Sequence, residues 1–495
     1  MEQNQTFRLS NFTNIRRVKL AESGNAEMRA WHSLKGRITT VPHEAEQVMV
    51  DLKKGATGSL EYLARRIDLN VRTDVLNFLS TMASKENELL VRINFDEEAY
   101  LTEQRARFLE NYFTAKPDRL YLFPSGACNH RCTYCYVPLV DRANAGELMK
   151  PEIHDISVDE FFAAAMKRST VNVQIRYLGG EPLYNWPSFK RAVEATFEKA
   201  KQYAVNPLFV VLTNASLITP EMIRWFKSFQ YDLAFLVSLD GVKEVHDHYR
   251  VDTSGKGTFD LVWRGFNLLR EAGITAIPHM VVGTHNQGRS QEFVELLSEN
   301  GIKHLSFSFL SMPSEEVKKS GATALKPLAQ LQFLKDIYSS ATSLSIEISG
   351  HWKQAIVHLI NGDPSICRGG TRSICITAPG DVFPCQRIIW DPGSKLTIVK
   401  PGFLSEINLS NEVYKRWIMK SSLFMEKCSG CSWIGIHSGG CPPITEQKTI
   451  GDDCSFHSYA LNFALSLPIN KIKATNLDMI VNGMMTEDGA WHGTL

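Results

Sequence analysis

The sequence predicts an α/β protein. A partial (β/α)6 barrel is preceded by a winged-helix-like N-terminal domain and followed by a cysteine-rich C-terminal domain. Three observations lead there. From Arg119 to about residue 310, short apolar runs alternate with amphipathic helical patterns. A hairpin pattern and three helix-like stretches precede them, in a segment without cysteine. All ten cysteines lie beyond that segment, in groups at 128–135, 367–385 and 428–454.

The N-terminal elements come first. Met28–His32 and Arg37–Val41 can pair across Leu34-Lys35-Gly36. His43–Lys53, Leu60–Ile67 and Val71–Met82 then carry helical apolar spacing, as at Leu76, Phe78, Leu79 and Met82. A hairpin with three helices is a small winged-helix pattern, and the charged stretch Asp96–Leu109 reads as a linking helix. In the central region the expected strands are Leu120–Phe123, Val173–Leu178, Leu208–Leu212, Leu233–Val237, Ala276–Val282 and Leu305–Phe309. The expected helices are Asp159–Met166, Phe189–Lys201, Glu221–Phe229, Phe259–Glu271 and Gln291–Glu299. Strands separated by helices require a parallel sheet, and six of them make an open or partial barrel rather than a closed eight-fold one. Residues from about 360 to 455 are rich in Cys, Gly and Pro with weak periodicity, as suits metal sites standing in for a large core. The expected division is 1–115 (N-terminal domain and linker), 116–312 (barrel), 313–360 (bridging helical region), 361–460 (cysteine-rich domain) and 461–495 (tail).

The 495 residues carry a formal net charge of +1, which gives no global argument for nucleic-acid or membrane-surface binding. Met1 to Ser10 is polar and unlike a signal peptide. No stretch approaches the ~20 apolar residues of a membrane span. The expected location is the cytoplasm. In such a chain, clustered cysteines favour metal or cluster ligation over disulfides.

Cys128-x3-Cys132-x2-Cys135 follows the first barrel strand, on a loop opened by Pro124-Ser125-Gly126. Three thiolates can hold three irons of a [4Fe–4S] cluster and leave the fourth open; on this spacing alone, a zinc site or unlinked thiols are the alternatives. Tyr136 follows the third cysteine. Gly179-Gly180-Glu181-Pro182, Thr213-Asn214 and Ser238-Leu239-Asp240-Gly241 each end an expected strand, and His246-Asp247-x2-Arg250 comes next. Ligands bind at such strand ends in α/β sheets. Together, over about residues 118–310, these features resemble the radical SAM (S-adenosylmethionine) superfamily. The resemblance implies that Cys128, Cys132 and Cys135 hold a [4Fe–4S] cluster whose open iron binds SAM. Reductive cleavage then yields a 5′-deoxyadenosyl radical that abstracts a hydrogen atom. It also implies Tyr136 beside the adenine, Gly179, Gly180, Glu181 and Pro182 at the SAM amino group, Ser238 and Arg250 at its carboxylate, and Asn214 or Asp240 at its ribose. His130, His246 and His248 read as structural.

Farther on, Cys367-x12-Gly380-x4-Cys385, Cys428-x2-Cys431, Cys441 and Cys454 resemble a SPASM domain, which carries auxiliary iron–sulfur clusters in radical SAM enzymes that modify peptides. The resemblance implies two auxiliary clusters of the [4Fe–4S] kind. One would be held by Cys367, Cys375, Cys385 and Cys441. The other would take Cys428, Cys431, Cys454 and position 437, where the family has cysteine and this chain has His437. A neutral imidazole there would raise the cluster's potential. An open iron, another ligand, a three-iron cluster or a Cys3His zinc site are the alternatives.

SPASM enzymes mostly act on peptides. The N-terminal segment resembles a recognition element of ribosomally made, post-translationally modified peptides (RiPPs), which binds a leader peptide as an added strand. The expected function is therefore a radical SAM peptide maturase that installs an intramolecular C–C, C–S or C–O crosslink oxidatively. An auxiliary cluster would take the surplus electron, and a flavodoxin or ferredoxin would act as donor. No nucleic-acid or membrane partner is expected. Formylglycine-forming sulfatase maturation is the nearest rival. Those enzymes place an Asp base directly after the cysteine of G-x4-C, where this chain has Gln386, which cannot take the proton. A small-molecule radical SAM dehydrogenase and a degenerate peptide-binding partner are further alternatives. Leu467–Leu495 is unassigned, with helical spacing near Asn476–Met485.

Overall fold

A computed structural model describes residues 5–21, 23–113, 118–135, 137, 147–167, 172–310, 321–350, 352–361, 369–370, 372–389, 391–419, 421–436 and 460–472. In the N-terminal part, β1 (Phe7–Leu9), β2 (Thr13–Lys19), β3 (Ala26–His32) and β4 (Gly36–Thr40) precede α1 (Glu46–Lys53), α2 (Leu60–Leu63) and α3 (Leu69–Ala83). Then come β5 (Leu90–Arg92) and α4 (Glu97–Phe113). Strands β2-β3-β4 form an antiparallel sheet, and β1 pairs with β5. Ile15, Met28 and Ala30 from the sheet bury with Val48, Met49, Leu52, Val75, Leu79 and Met82 from α1 and α3. The expected hairpin is β3–β4. Strand β2 had escaped the sequence pattern because Arg16 and Arg17 interrupt its alternation.

The β3–β4 turn is pinned by His32, whose Nδ1 accepts from the backbone N–H groups of Leu34 and Lys35, both at 3.2 Å. Burial first, and the positive Lys35 second, lower this imidazole from 6.5 to about 3. The unfolded chain takes up the proton below about pH 6.5 while the folded turn refuses it, so the histidine's contribution to stability is lost as pH falls through that window. We expect intrinsic-rate-corrected hydrogen exchange in β2–β4 to speed up between about pH 7 and pH 5, and His32→Asn, which keeps an acceptor, to flatten the trend. An equal trend in the variant would remove His32 as its cause.

The central sheet follows the βα order. Its elements are β6 (Arg119–Leu122), α5 (Pro151–Lys167), β7 (Asn172–Tyr177), α6 (Trp186–Tyr203), β8 (Asn206–Thr213), α7 (Pro220–Lys227) and β9 (Leu233–Ser238). The order continues through α8 (Lys243–Tyr249), α9 (Phe259–Glu271), β10 (Thr275–Val282), α10 (Ser290–Glu299), β11 (His304–Phe309), α11 (Pro327–Ser343), β12 (Glu347–Gly350) and α12 (Trp352–Asn361). After these come β13 (Ser373–Ile376), β14 (Asp381–Phe383), β15 (Thr397–Ile398) and α13 (Glu412–Ile418). The ten strands lie in the order β12-β11-β10-β9-β8-β7-β6-β13-β14-β15. Those from β12 to β13 run parallel, while β14 and β15 are antiparallel.

This parallel sheet extends past the six expected strands at both ends. Strand β12 rises within the stretch expected to be a helical bridge, and β13 brings Cys375 into register with Tyr121. One face buries Leu122, Ile175, Tyr177, Phe209, Val211, Phe235 and Val237 under the helices. Alternation turns Tyr121, Gln174, Arg176, Ser238 and His279 to the other face. Caps fix the helix starts beyond the strand ends: Asn185 accepts from Ser188 N, and Thr219 from Met222 N just before Pro220. Among the described residues, no helix is long and apolar enough to cross a membrane.

Candidate active site

The loop after β6 is held on three sides. Phe123 N donates to Ile376 O (2.9 Å), and Met149 N to Pro124 O (2.7 Å). On the third side Arg131 N donates to Val251 O (2.7 Å) and Thr133 N to Tyr249 O (2.9 Å). Cys128, Cys132 and Cys135 sit half-buried on this loop as free thiols. His130 N donates to Cys128 Sγ at 3.3 Å, Asn214 Nδ2 to the same sulfur at 3.9 Å, and Arg250 Nη1 to Cys132 Sγ at 3.8 Å.

Burial pushes Cys128 up to about 12 and Cys135 to about 11, and raises Cys132 as well. These sulfurs carry charge only beside a strong positive partner, which is what iron supplies to a thiolate. Among the described residues, no three His, Cys, Asp or Glu side chains close on one point as a single ion requires. A cubane spreads its ligands over three irons. An all-sulfur donor set with N–H groups aimed at two of the sulfurs therefore fits an iron–sulfur cluster.

The segment after β7 locks onto this loop. Gly180 N donates to Ser125 O (3.0 Å) and Glu181 N to Ala127 O (2.9 Å). A Cβ on Gly180 would lie 2.2 Å from Ala127 O, and one on Gly179 2.4 Å from Ser125 O, at a φ of +136°. What approaches these glycines closely is thus the cysteine loop's own backbone. Glu181 is buried and accepts from Leu183 N (3.0 Å), Thr213 Oγ1 (2.7 Å) and Asn214 N (2.7 Å), joining the ends of β7 and β8. Pro182 opens the short helical turn that follows.

At the end of β9, Asp240 is fully buried. It pairs with Arg250 (Nε–Oδ2 2.7 Å), accepts from Val281 N (3.0 Å) and takes the hydroxyl of Tyr134. Burial alone would lift its carboxyl; Arg250 outweighs that and holds it below its ordinary value. Ser238 lies opposite His279 in the register, and His279 reaches Ser306 and Ser308 at 3.0 and 3.1 Å. His130 and His246 are buried and engage Ser216 and Thr258.

The structure therefore gathers Cys128, Cys132, Cys135, Gly179, Gly180, Glu181, Asn214, Asp240 and Arg250 at the C-terminal ends of β6 to β9. Tyr134 was missed from sequence; its only signal was its place inside the cysteine motif. Cys375 and Cys385 share an apolar cluster with Cys135, Tyr121 and Leu178 on the sheet face away from the helices. Cys428 is buried, and Cys431, three residues on, is exposed. Tyr136, Cys367, His437, Cys441 and Cys454 lie outside the described residues.

Residues 122–297 match the model of the radical SAM superfamily. The chain is 25% identical over 328 residues to a cysteine-type anaerobic sulfatase-maturating enzyme of Clostridium novyi, covering 64% of this chain and 85% of that one. It is 20% identical over 463 residues to the radical SAM cyclopropyl synthase TigE of Paramaledivibacter caminithermalis, covering 87% and 89%. Two solved structures share the fold. One is anSMEcpe with bound AdoMet and Kp18Cys peptide (TM-score 0.58, 20% identity, 72% of this chain and 100% of that one). The other is Streptococcus suis SuiB bound to precursor peptide SuiA (TM-score 0.53, 16% identity, 90% and 99%). With the three-cysteine loop seated at the strand ends of a parallel sheet, this chain carries a radical SAM domain and is a radical SAM enzyme.

Proposed function

We propose that the enzyme matures a ribosomally made precursor peptide by closing an intramolecular C–C, C–S or C–O crosslink, with net loss of two hydrogens. One observation carries this reading. Similarity to the cyclopropyl synthase spans 87% of the chain, a larger share than residues 116–495 alone make up, so it reaches into the N-terminal module. The Clostridium novyi sulfatase-maturating relative matches 64%. In this reading, residues 1–115 bind the leader peptide as an added strand, 116–312 form the barrel, and 361–460 form a SPASM-type domain.

When bound, SAM and the barrel cluster supply a 5′-deoxyadenosyl radical, and clusters at the C-terminal cysteines supply an electron acceptor. The protein's own groups bind and orient. Cys128, Cys132 and Cys135 hold the barrel cluster. Gly179 to Pro182 meet the SAM amino group, Ser238 and Arg250 its carboxylate, Asn214 its ribose and Tyr136 its adenine. Asp240, its oxygens already occupied, orients Arg250. Cys367, Cys375, Cys385 and Cys441 form one auxiliary set; Cys428, Cys431, His437 and Cys454 form the other. A flavodoxin or ferredoxin is the electron donor.

Formylglycine formation is the second reading, favoured by the sulfatase-maturating relatives. Against it stands Gln386, which offers an amide, not a base, beside Cys385; the Cys385 thiol donates to its Oε1 at 3.4 Å. Anaerobic co-expression with a candidate precursor peptide, sought as a short reading frame beside this gene, tests the two. We expect mass spectrometry to show loss of two hydrogens and an uncleaved linked fragment, both absent in Cys128→Ala. A peptide left unmodified while SAM is cleaved would overturn the crosslinking reading. A Ser or Cys turned into an aldehyde would establish the second.

A further inference from the structure

Three polar groups of the N-terminal sheet converge on one carbonyl in the C-terminal cysteine region. Asn14 Nδ2, Ser33 Oγ and Trp31 Nε1 donate to Ser432 O at 3.1, 2.9 and 3.4 Å. Ser432 directly follows Cys431. A carbonyl has two lone pairs; Asn14 Nδ2 and Ser33 Oγ are the two nearest donors, the single Ser33 hydroxyl hydrogen being shared with Phe12 O, also at 2.9 Å. The Trp31 ring, 1% exposed, stacks on Trp433 with centroids 4.9 Å apart and planes at 15°. Gly435, at a φ of +78°, presses on the β3–β4 turn: a Cβ there would lie 2.9 Å from Ser33 O and 2.7 Å from Leu34 Cδ2.

The other flank is held by α4. Arg105 Nε donates to Leu423 O at 2.7 Å, and Phe108 meets Phe424 edge-on at 5.7 Å. Residues on both sides of Cys428-x2-Cys431 are thus clamped by the N-terminal 113 residues. The short helical turn Glu426–Cys428 and the bond from Cys431 N to Cys428 O, 3.0 Å, lie in the segment between.

We infer that the N-terminal module is a positioning element for the Cys428–Cys431 pair. It sets the spacing in which these thiols hold an iron–sulfur group, and that group in turn steadies the module. The inference rests on the reading of Cys428 and Cys431 as cluster ligands. Because linkage is reciprocal, it has two independent readouts. Peptide engagement at the sheet would reach the auxiliary site through Trp31 and Ser33.

The test uses the full chain, reconstituted anaerobically with iron and sulfide. The double variant Cys428→Ala/Cys431→Ala defines the iron and the redox wave belonging to this site. Trp31→Ala/Ser33→Ala is expected to lose most of that same iron, or to keep it with a shifted midpoint potential. Trp31→Phe, which preserves stacking, is expected to restore wild-type iron and potential. SAM cleavage by the barrel cluster, unaffected, reports an intact barrel. Reciprocally, reconstitution should slow hydrogen exchange in β2–β4 of wild type and not of the cysteine double variant. That comparison decides the matter even where Trp31→Ala/Ser33→Ala fails to fold. Unchanged iron and potential in the tryptophan–serine variant, with exchange indifferent to reconstitution, would overturn the inference. Full iron retention in the cysteine double variant would refute the ligand reading itself, and the inference with it.

Discussion

Gly180→Ala is expected to destabilise the barrel by about 2–4 kcal/mol and to empty the three-cysteine loop of iron. The added Cβ would lie 2.2 Å from Ala127 O and 2.3 Å from Gly126 O. Both are backbone atoms, so no side chain can rotate away. The loop must shift instead, and the two bonds that tie it to the end of β7, Gly180 N to Ser125 O and Glu181 N to Ala127 O, stretch with it. Gly180, unlike Gly179, is not among the glycines at positive φ, so the close approach dominates the loss. At Gly179 a φ of +136° would add backbone strain to the same clash. Gly288 is the control: a Cβ there meets nothing within 4 Å. Thermal unfolding and iron content of the two alanine variants measure the contrast. Wild-type iron and melting in Gly180→Ala would mean the two segments need not pack this closely.

The same segment shows where sequence reading reaches and where it stops. Contacts local in the chain were legible. The three cysteines, the glycine pair and the strand-end polar residues lie in short motifs, and apolar runs bounded by helical patterns marked β6 to β11 within a residue or two. Strand β13 was hidden because its four residues, Ser373–Ile376, are too few to carry a periodic signal within a stretch rich in Cys, Gly and Pro. Strand β12 was hidden by its length and its exposed Glu347. Contacts that join distant segments left no pattern at all. The approach of Asn214 to Cys128 and the stacking of Trp31 on Trp433 depend on how strands order themselves in space. The glycines illustrate a subtler limit. Their requirement for close approach was readable, but the partner, the cysteine loop's own carbonyls, was not.

The pair formed by Asp240 and Arg250 should give the other large effect. Asp240→Ala is expected to cost about 3–5 kcal/mol, because it leaves a buried guanidinium without its counter-charge. The aspartate is fully buried. Its loss also strands the Tyr134 hydroxyl and Val281 N, which donate to it. Arg250 would be freed from the 2.7 Å bond that fixes its fork while its Nη1 stays aimed at Cys132 Sγ. Removing both charges should behave differently. A well-packed apolar pair such as Asp240→Leu with Arg250→Met is expected to recover much of the stability, since desolvating two ions consumes most of what their attraction returns. It should not recover SAM binding, for which Arg250 is proposed to supply the carboxylate contact. Unfolding measurements and SAM-binding isotherms on the single and double variants separate the two roles. If the double variant binds SAM as wild type does, Arg250 acts only as a structural support for the C-terminal ends of β9 and β10. If Asp240→Ala melts with wild type, the pair contributes little and the fixed geometry of Arg250 must come from elsewhere.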